Sequence, residues 1–297
     1  MVTPSAPIDI ERCKKWWFLK YYLPVYTMII SNNFPTFYYI DLMAGPGEKD
    51  SSIGVQVGSP IIALKAAERY YPFTDYILND LRYSKELEDT INAFFEKHGS
   101  LTTRHKVGDK TEEFEVTRTQ VNILSKPASE VVEEDVSKIS EKTPCFFFID
   151  PEGISEVPWD TTIKPCIKRK KTEVLLLYCT RGVSGCITVP KDHRTVDAFF
   201  GDSGWRKFVD TDSCRESLVD YYMSNIGKYK KFVFQTAPIT NKRNSEIYRL
   251  IFATDNDKAK KIWEDYALSR VNELWKEREY REWLSSNFGS DLTDWIS

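Results

Sequence analysis

No two cysteines in this chain stand close enough to form a CxxC pair. The six are Cys13, Cys145, Cys166, Cys179, Cys186 and Cys214. That scatter excludes the paired ligands of a structural zinc site and the dense framework of a small disulfide-stapled secreted domain. Reduced, mostly buried thiols in a cytoplasmic protein are the expectation. An excess of charge of one sign is also missing, because 41 lysines and arginines face 44 acids for a net charge of −3. A general attraction to nucleic acid or acidic membranes is therefore not expected, although local patches remain open. Apolar runs fall well short of the ~20 residues that span a bilayer. The opening "MVTPSAPIDI" has no basic region followed by an apolar one, so no signal peptide and no membrane association are predicted. Internal repeats and low-complexity tracts are absent as well.

What is present suits one sizeable folded unit. Hydrophobic residues make up 41% of the 297 and aromatics 14%, enough for a substantial core. Short apolar runs alternate with amphipathic stretches, the pattern of βαβ units around a largely parallel sheet. Strands are predicted at 37–41, 75–80, 115–121, 145–150 and 173–179, and helices at 59–71, 84–98, 128–140 and after Trp159. In the helix 84–98, Leu87, Ile91, Phe94 and Phe95 share one face, and Ser84 is the predicted N-cap. "KFVFQTAP" and "EIYRLIFATD" flank a short polar turn, which permits an antiparallel hairpin and not a crossover. The chain reads as one domain, 1–297, with a helical cap over 1–36, an insertion over 181–230 and a helical extension over 256–297.

The chemistry concentrates where apolar runs end in acids. "YYIDLMAGPGEKD" closes the first strand on Asp41 and then turns through Ala44, Gly45, Pro46 and Gly47. In an open parallel sheet, ligands bind beyond the carboxyl ends of the strands at the switch point beside the first one. Glycines there let a ligand approach the backbone, and Pro46 stiffens the loop. Ser59 and Pro60 can start the next helix as N-cap and first residue, aiming its positive end at the same crevice. A phosphate-cradling GxxxxGK[ST] loop does not occur, and GxGxxG fails because Asp50 stands where the third glycine belongs. The class left is a nucleoside ligand without a pyrophosphate, of which S-adenosylmethionine is one. Asp41 could then face its cationic methionyl part and Asp80, ending the second strand, its ribose hydroxyls. The plainer alternative is that Asp41 and Asp80 cap turns. Asp150, in "FFFIDPEG", ends a strand beside the first; with Pro151 behind it, it could bind or deprotonate a substrate group, or cap a turn before Gly153.

Taken in order, "FYYIDLMAGPG", "GSPIIAL", "FFFIDPEG", "VPW", "AFFGDSGW" and "IYRLIFATDNDKAKKIWED" resemble the three-Cys-motif partner (TcmP) family, from about Lys20 to about Tyr266. The resemblance implies an α/β fold of the Rossmann-like, class I methyltransferase kind. Its sheet would have seven strands, mostly parallel, ending in an antiparallel hairpin, with helices on both faces. It further implies an S-adenosylmethionine pocket lined by Asp41, Gly45, Gly47 and Asp80, with Asp150 and Pro151 on the methyl-acceptor side, and a separate three-cysteine-motif protein as partner. Two features depart from the pattern. "EKDSSIGVQV" lengthens the step from the glycine turn to its helix. "DPEG" replaces the aromatic "DPPY" of amino-methylating enzymes that stack a flipped base, which disfavours adenine N6 methylation.

Basic residues sort by edge. "KPCIKRKK" precedes the fifth strand, at the amino edge, and reads as a solvated helix end. Arg181, Lys191, His193 and Arg194 follow the fifth strand, while Lys242 and Arg243 tip the hairpin, all at the carboxyl edge near Asp150. Arg181, Lys242 and Arg243 could bind phosphates of a substrate, although exposed loops are commonly charged for solubility alone. His193 is the one histidine placed to exchange a proton. Two functions follow: a methyltransferase acting on a nucleic acid or a partner protein, or a non-catalytic subunit that keeps the fold and works in a complex.

Overall fold

The computed structural model describes residues 10–51, 54–69, 71–107, 110–240, 243 and 245–268. The strands are β1 (Tyr38–Asp41), β2 (Glu48–Ser51), β3 (Gly54–Val57), β4 (Asp75–Asn79), β5 (Leu101–Val107), β6 (Lys110–Val116), β7 (Val121–Leu124), β8 (Cys145–Ile149), β9 (Thr172–Tyr178), β10 (Phe232–Gln235), β11 (Ile239–Thr240) and β12 (Glu246–Thr254). The helices are α1 (Ile10–Ser31), α2 (Ser59–Arg69), α3 (Ser84–His98), α4 (Ala128–Glu134), α5 (Lys164–Lys168), α6 (Thr180–Ile187), α7 (His193–Phe200), α8 (Cys214–Gly227) and α9 (Asp257–Ile262).

The main sheet runs β10-β12-β9-β8-β1-β4-β7, with β11 attached to β12. β7, β4, β1, β8 and β9 form one parallel run, and β12 is antiparallel to both β9 and β10. Chain order reverses at β1, which lies between β4 and β8. This is a Rossmann-like α/β arrangement, with the last long strand inserted antiparallel. The sheet has eight strands and not seven, because β11 adds a two-residue rung.

Both faces are covered, and side chains alternate between them along each strand. Tyr39, Tyr76, Phe146, Phe148, Leu175 and Phe252 pack under α1, α2 and α3. Ile40, Ile77, Phe147, Ile149, Val174 and Ile251 pack under α4, α5, α7 and α8. α1, read from the sequence as a helical cap or as plain core packing, packs into the core. Its Phe18 stacks on Trp263 at 4.8 Å between ring centres, and Tyr22 sits edge-on to Phe252 at 5.0 Å. Full burial of such side chains contributes about 1.5–3 kcal/mol each. Because α1 leads into β1, it runs antiparallel to the strands, and its first turns lie at their carboxyl ends. No helix among the described residues is long and apolar enough to cross a membrane.

Several local expectations are corrected. The strand read at 115–121 is two strands, because the Thr117 N–H donates to Gln120 Oε1 at 2.8 Å and makes a turn between β6 and β7. β6 pairs with β5 in a separate hairpin, and only β7 joins the main sheet. "EKDSSIGVQV" makes another hairpin, β2–β3. The helix read over 128–140 stops at Glu134 and continues as one tight turn, Val136–Lys138. Arg169 donates to the carbonyls of Val136, Ile139 and Ser140, which a longer helix would need for itself. Tyr83, not Ser84, caps α3, since the Leu87 N–H donates to its carbonyl. The predicted extension beyond Leu268 and the segment before Ile10 lie outside the described residues.

One glycine is fixed by packing as well as by conformation. Gly201 ends α7 at φ +84°, and a Cβ there would lie 2.3 Å from Trp159 Cδ1. Gly201→Ala should destabilise by roughly 2–5 kcal/mol, combining left-handed strain with overpacking of a full core. Guanidinium unfolding with and without the substitution measures this; a change under about 0.5 kcal/mol, the range of ordinary surface substitutions, contradicts it.

Candidate active site at the switch point

Asp41 is fully buried at the tip of β1, on the same face as Tyr39. It accepts hydrogen bonds from the Ser59 hydroxyl, from the Met43 N–H at 3.3 Å and from Tyr39 Oη at 3.2 Å. Burial pushes its carboxyl up to about 7; the Ser59 bond opposes this and nearby Asp150 reinforces it. Ser59, expected to cap α2, spends its side chain on Asp41.

The following loop is strapped to its surroundings by backbone contacts. Leu42 N–H donates to the Phe148 carbonyl and Ala44 N–H to the Asn79 carbonyl. Gly45 N–H donates to Asp80 Oδ2 at 2.8 Å. The Pro46 carbonyl accepts from Thr90 Oγ1 on α3 at 2.8 Å, and the Gly47 carbonyl accepts from Gly58 N–H at 2.6 Å. The two glycines differ in role. Gly45, at φ +63°, has nothing within 4 Å of a Cβ position and borders open space. Gly47, at φ +79°, would bring a Cβ to 3.0 Å from Thr90, so its bareness is explained by packing on α3 rather than by a ligand.

Asp80 holds this loop at one oxygen and its own turn at the other. Its Oδ1 accepts from Arg82 N–H at 2.9 Å and Tyr83 N–H at 2.8 Å. Three of about four acceptor positions on the carboxylate are filled, leaving one on Oδ2. The turn-capping alternative and the binding role thus coexist in one side chain. Asn79, whose importance sequence reading missed, ties three segments together: Nδ2 donates to the carbonyls of Leu42 and Lys126, and Oδ1 accepts from Lys126 N–H. A polar residue immediately before a strand-end acid was the available signal.

Asp150 follows β8, the strand beside β1, and is only 16% exposed. Lys15 from α1 donates to its Oδ2. No sequence pattern pointed to Lys15, which lies far away along the chain. Pro151 is buried behind Asp150. Across the top of β1, Arg82 from the β4 loop pairs with Glu152 from the β8 loop at 2.6 Å, both well exposed. Cys179, at the start of α6, stands near Asp150; burial pushes its thiol up, which the Gly182 N–H bond opposes and Asp150 reinforces. That thiol stays protonated near neutrality.

Two of the three predicted substrate cations, Arg181 and Arg243, are among the described residues. Arg181 is exposed in the first turn of α6, two residues past Cys179. Arg243 is exposed in the turn before β12, at the same edge but beyond β9. Lys242 lies outside the described residues. His193 is held in the fold, with Nε2 3.0 Å from the Ile187 carbonyl and its ring edge-on to Trp205. Beside this edge a buried network went unread: Arg249 reaches Glu216 at 2.6 Å, Glu246 at 2.8 Å and Gln235 at 3.0 Å, while Thr180 Oγ1 donates to Glu246 at 2.7 Å.

The raised Asp41 carboxyl gives a pH signature. An unfolded aspartate titrates near 3.9, so between about pH 4 and 7 the folded chain holds a proton that the unfolded chain has released. Stability therefore falls as pH rises through that window. Glu173, also pushed up to about 7 by burial, acts in the same direction. Asp41→Asn should reduce the stability difference between pH 5 and pH 8 by about 1–4 kcal/mol, at 1.36 kcal/mol per unit. Urea unfolding at both pH values checks this; an unchanged difference contradicts it.

No family model matches this chain, and no curated protein does. Among solved structures, a Legionella pneumophila protein of the family model DUF519 is similar at 10% identity and TM-score 0.47, covering 95% of this chain and 93% of its own. A Klebsiella pneumoniae protein named as a candidate O-methyltransferase is similar at 8% identity and TM-score 0.38, covering 84% and 91%. With TM-scores below 0.5, neither likeness bears on what this chain does.

Proposed function

We propose that this chain binds S-adenosylmethionine in the crevice between Asp41, the 44–47 loop, Asp80 and Asp150, and transfers its methyl group to an acceptor. The observation that carries the reading is the Asp80–Gly45 bond, which sets a strand-end carboxylate beside a bare, open α-carbon at the switch point. The residues present fit the ligand. Gly45 leaves room for an adenosyl group, Asp80 Oδ2 has an acceptor position for a ribose hydroxyl, and Asp41 is a buried carboxyl that a cation would ionise.

When bound, S-adenosylmethionine supplies an electrophilic methyl on a sulfonium. The protein's contribution is positional: Asp80 and the loop fix the nucleoside, Asp41 offsets positive charge, and Asp150 orients or deprotonates the acceptor from the next strand. Arg181 and Arg243 are proposed to meet an anionic part of the acceptor, a nucleic acid or a partner protein of the three-cysteine-motif kind. Incubation with methyl-labelled S-adenosylmethionine, lysate protein, RNA, DNA and such a partner tests this; the expected result is label in one fraction, lost in Asp150→Ala.

The Lys15 contact favours a second reading. With Asp150 already paired and largely hidden, the chain could retain the cofactor without transfer and serve as a subunit in a complex. Cofactor bound with no label in any fraction, partner included, selects that reading.

A further inference from the structure

At the opposite edge of the sheet, three segments meet. The end of α5 and the turn after it carry Lys168, Lys170 and Lys171, the link from α8 to β10 carries Lys228 and Lys231, and the start of α9 carries Lys258, all exposed. Their adjacency is fixed by buried contacts: Lys230 Nζ donates to the Arg169 carbonyl at 3.0 Å and to Asp255 at 2.9 Å, and Lys168 Nζ lies 5.5 Å from the Tyr229 ring centre.

The carboxylates at this edge are already engaged. Asp255 takes the Lys230 ammonium and the Lys231 N–H, Asp257 takes the Lys231 ammonium, and Glu141 lies 3.7 Å from Arg169. Among the described residues, no carboxylate pairs with Lys168, Lys170, Lys171, Lys228 or Lys258. Some cations elsewhere are paired, as in Arg82–Glu152, Lys126–Glu134 and Arg206–Asp197. In a chain of net charge −3, five exposed lysines without a carboxylate partner thus come together on this one edge. The solvated-helix-end reading reaches only Lys168, because Lys170 and Lys171 lie past the last turn of α5, where the helix dipole has faded. Lys171 is also the one non-glycine residue at positive φ among the described residues, at +55°, with its ammonium 4.3 Å from the Phe34 ring centre.

We infer that this amino edge is a docking surface for the phosphodiester backbone of a nucleic acid. Unpaired lysines supply the counterion-releasing contacts, and the partly exposed rings of Phe34, Tyr229 and Phe232 beside them supply stacking faces. Among the described residues, none of the exposed large apolar side chains, Met28, Leu81 and Tyr83, belongs to these segments, which favours a polyanion over a bilayer as the occupant. A strand held here leaves the Asp41–Asp150 crevice free, and the inference stands apart from the cofactor reading.

Fluorescence anisotropy with a short labelled single-stranded oligonucleotide, across a salt titration and without cofactor, tests it. Wild type should bind. K168E/K170E/K171E should weaken binding at least roughly tenfold and lower the slope of log K against log salt by about 2, at about 0.7 per lost phosphate contact. K85E/K191E/K207E, a charge-matched change away from this edge, should stay within about threefold of wild type, since distant exposed charges are screened. No binding by wild type, equal loss in both variants, or a preference for phosphatidylserine vesicles or poly-glutamate overturns the inference. Should the first triple variant fail to fold by circular dichroism, Lys170→Glu alone should lower the slope by about 0.7; an unchanged slope overturns it.

Discussion

Asp80→Ala is expected to abolish measurable binding of S-adenosylmethionine while leaving the sheet intact. The substitution removes the acceptor for Gly45 N–H, so the loop loses its hold on β4. It also removes the acceptor position offered to the ribose. Hydrogen bonds to a charged group contribute about 1.5–3 kcal/mol each, so losing two weakens binding by at least ~100-fold. Arg82 and Tyr83 N–H groups lose their acceptor too, but both residues are exposed and water can replace it. Asp80→Asn should fall between, since one oxygen remains to accept. Calorimetric titration of the three proteins measures the series; alanine and wild-type affinities within about threefold of each other would remove Asp80 from the site.

Arg249→Met is the second large effect, on stability rather than binding. Arg249 is 3% exposed and pairs with Glu216 and Glu246, of which Glu246 is also buried. Removing one partner of such a network leaves an uncompensated buried carboxylate, at a cost of about 3–5 kcal/mol. β12, α6 and α8 all meet at this point, so the loss should loosen the outer carboxyl edge first. Hydrogen exchange should show faster exchange in 246–250 and 180–183 than in β1 or β8, alongside a lower denaturant midpoint. Adding Glu246→Gln and Glu216→Gln should recover part of the loss, because the stranded charges are then gone. A midpoint unchanged by Arg249→Met contradicts the network's role.

The parallel strands were legible because they are short apolar runs buried on both faces and ended by acids: "YYID", "YILND" and "CFFFID" stop where the sheet meets the crevice. α3 was legible to the residue because Leu87, Ile91 and Phe94 repeat at helical spacing. The error at 115–121 arose because β-branched residues run straight through a turn that a Gln120 side chain creates. The end of α4 was invisible because Arg169, some thirty residues away, takes the carbonyls. At the site, Asp41, Gly45, Asp80 and Asp150 could be placed from strand ends alone, since topology brings strand ends together. Lys15, Thr90 and the Arg249 network could not, because each reaches its partner across the fold. Gly47 was read as clearance for a ligand when its neighbour is Thr90, a distinction that only packing reveals.

Equilibrium binding to the unmodified protein tests the nucleoside crevice at the switch point most directly. Titration calorimetry with S-adenosylmethionine, S-adenosylhomocysteine and NAD should give saturable one-to-one binding for the first two and none for NAD. Absence of heat with either adenosyl ligand, or saturable binding of NAD in their place, would contradict it.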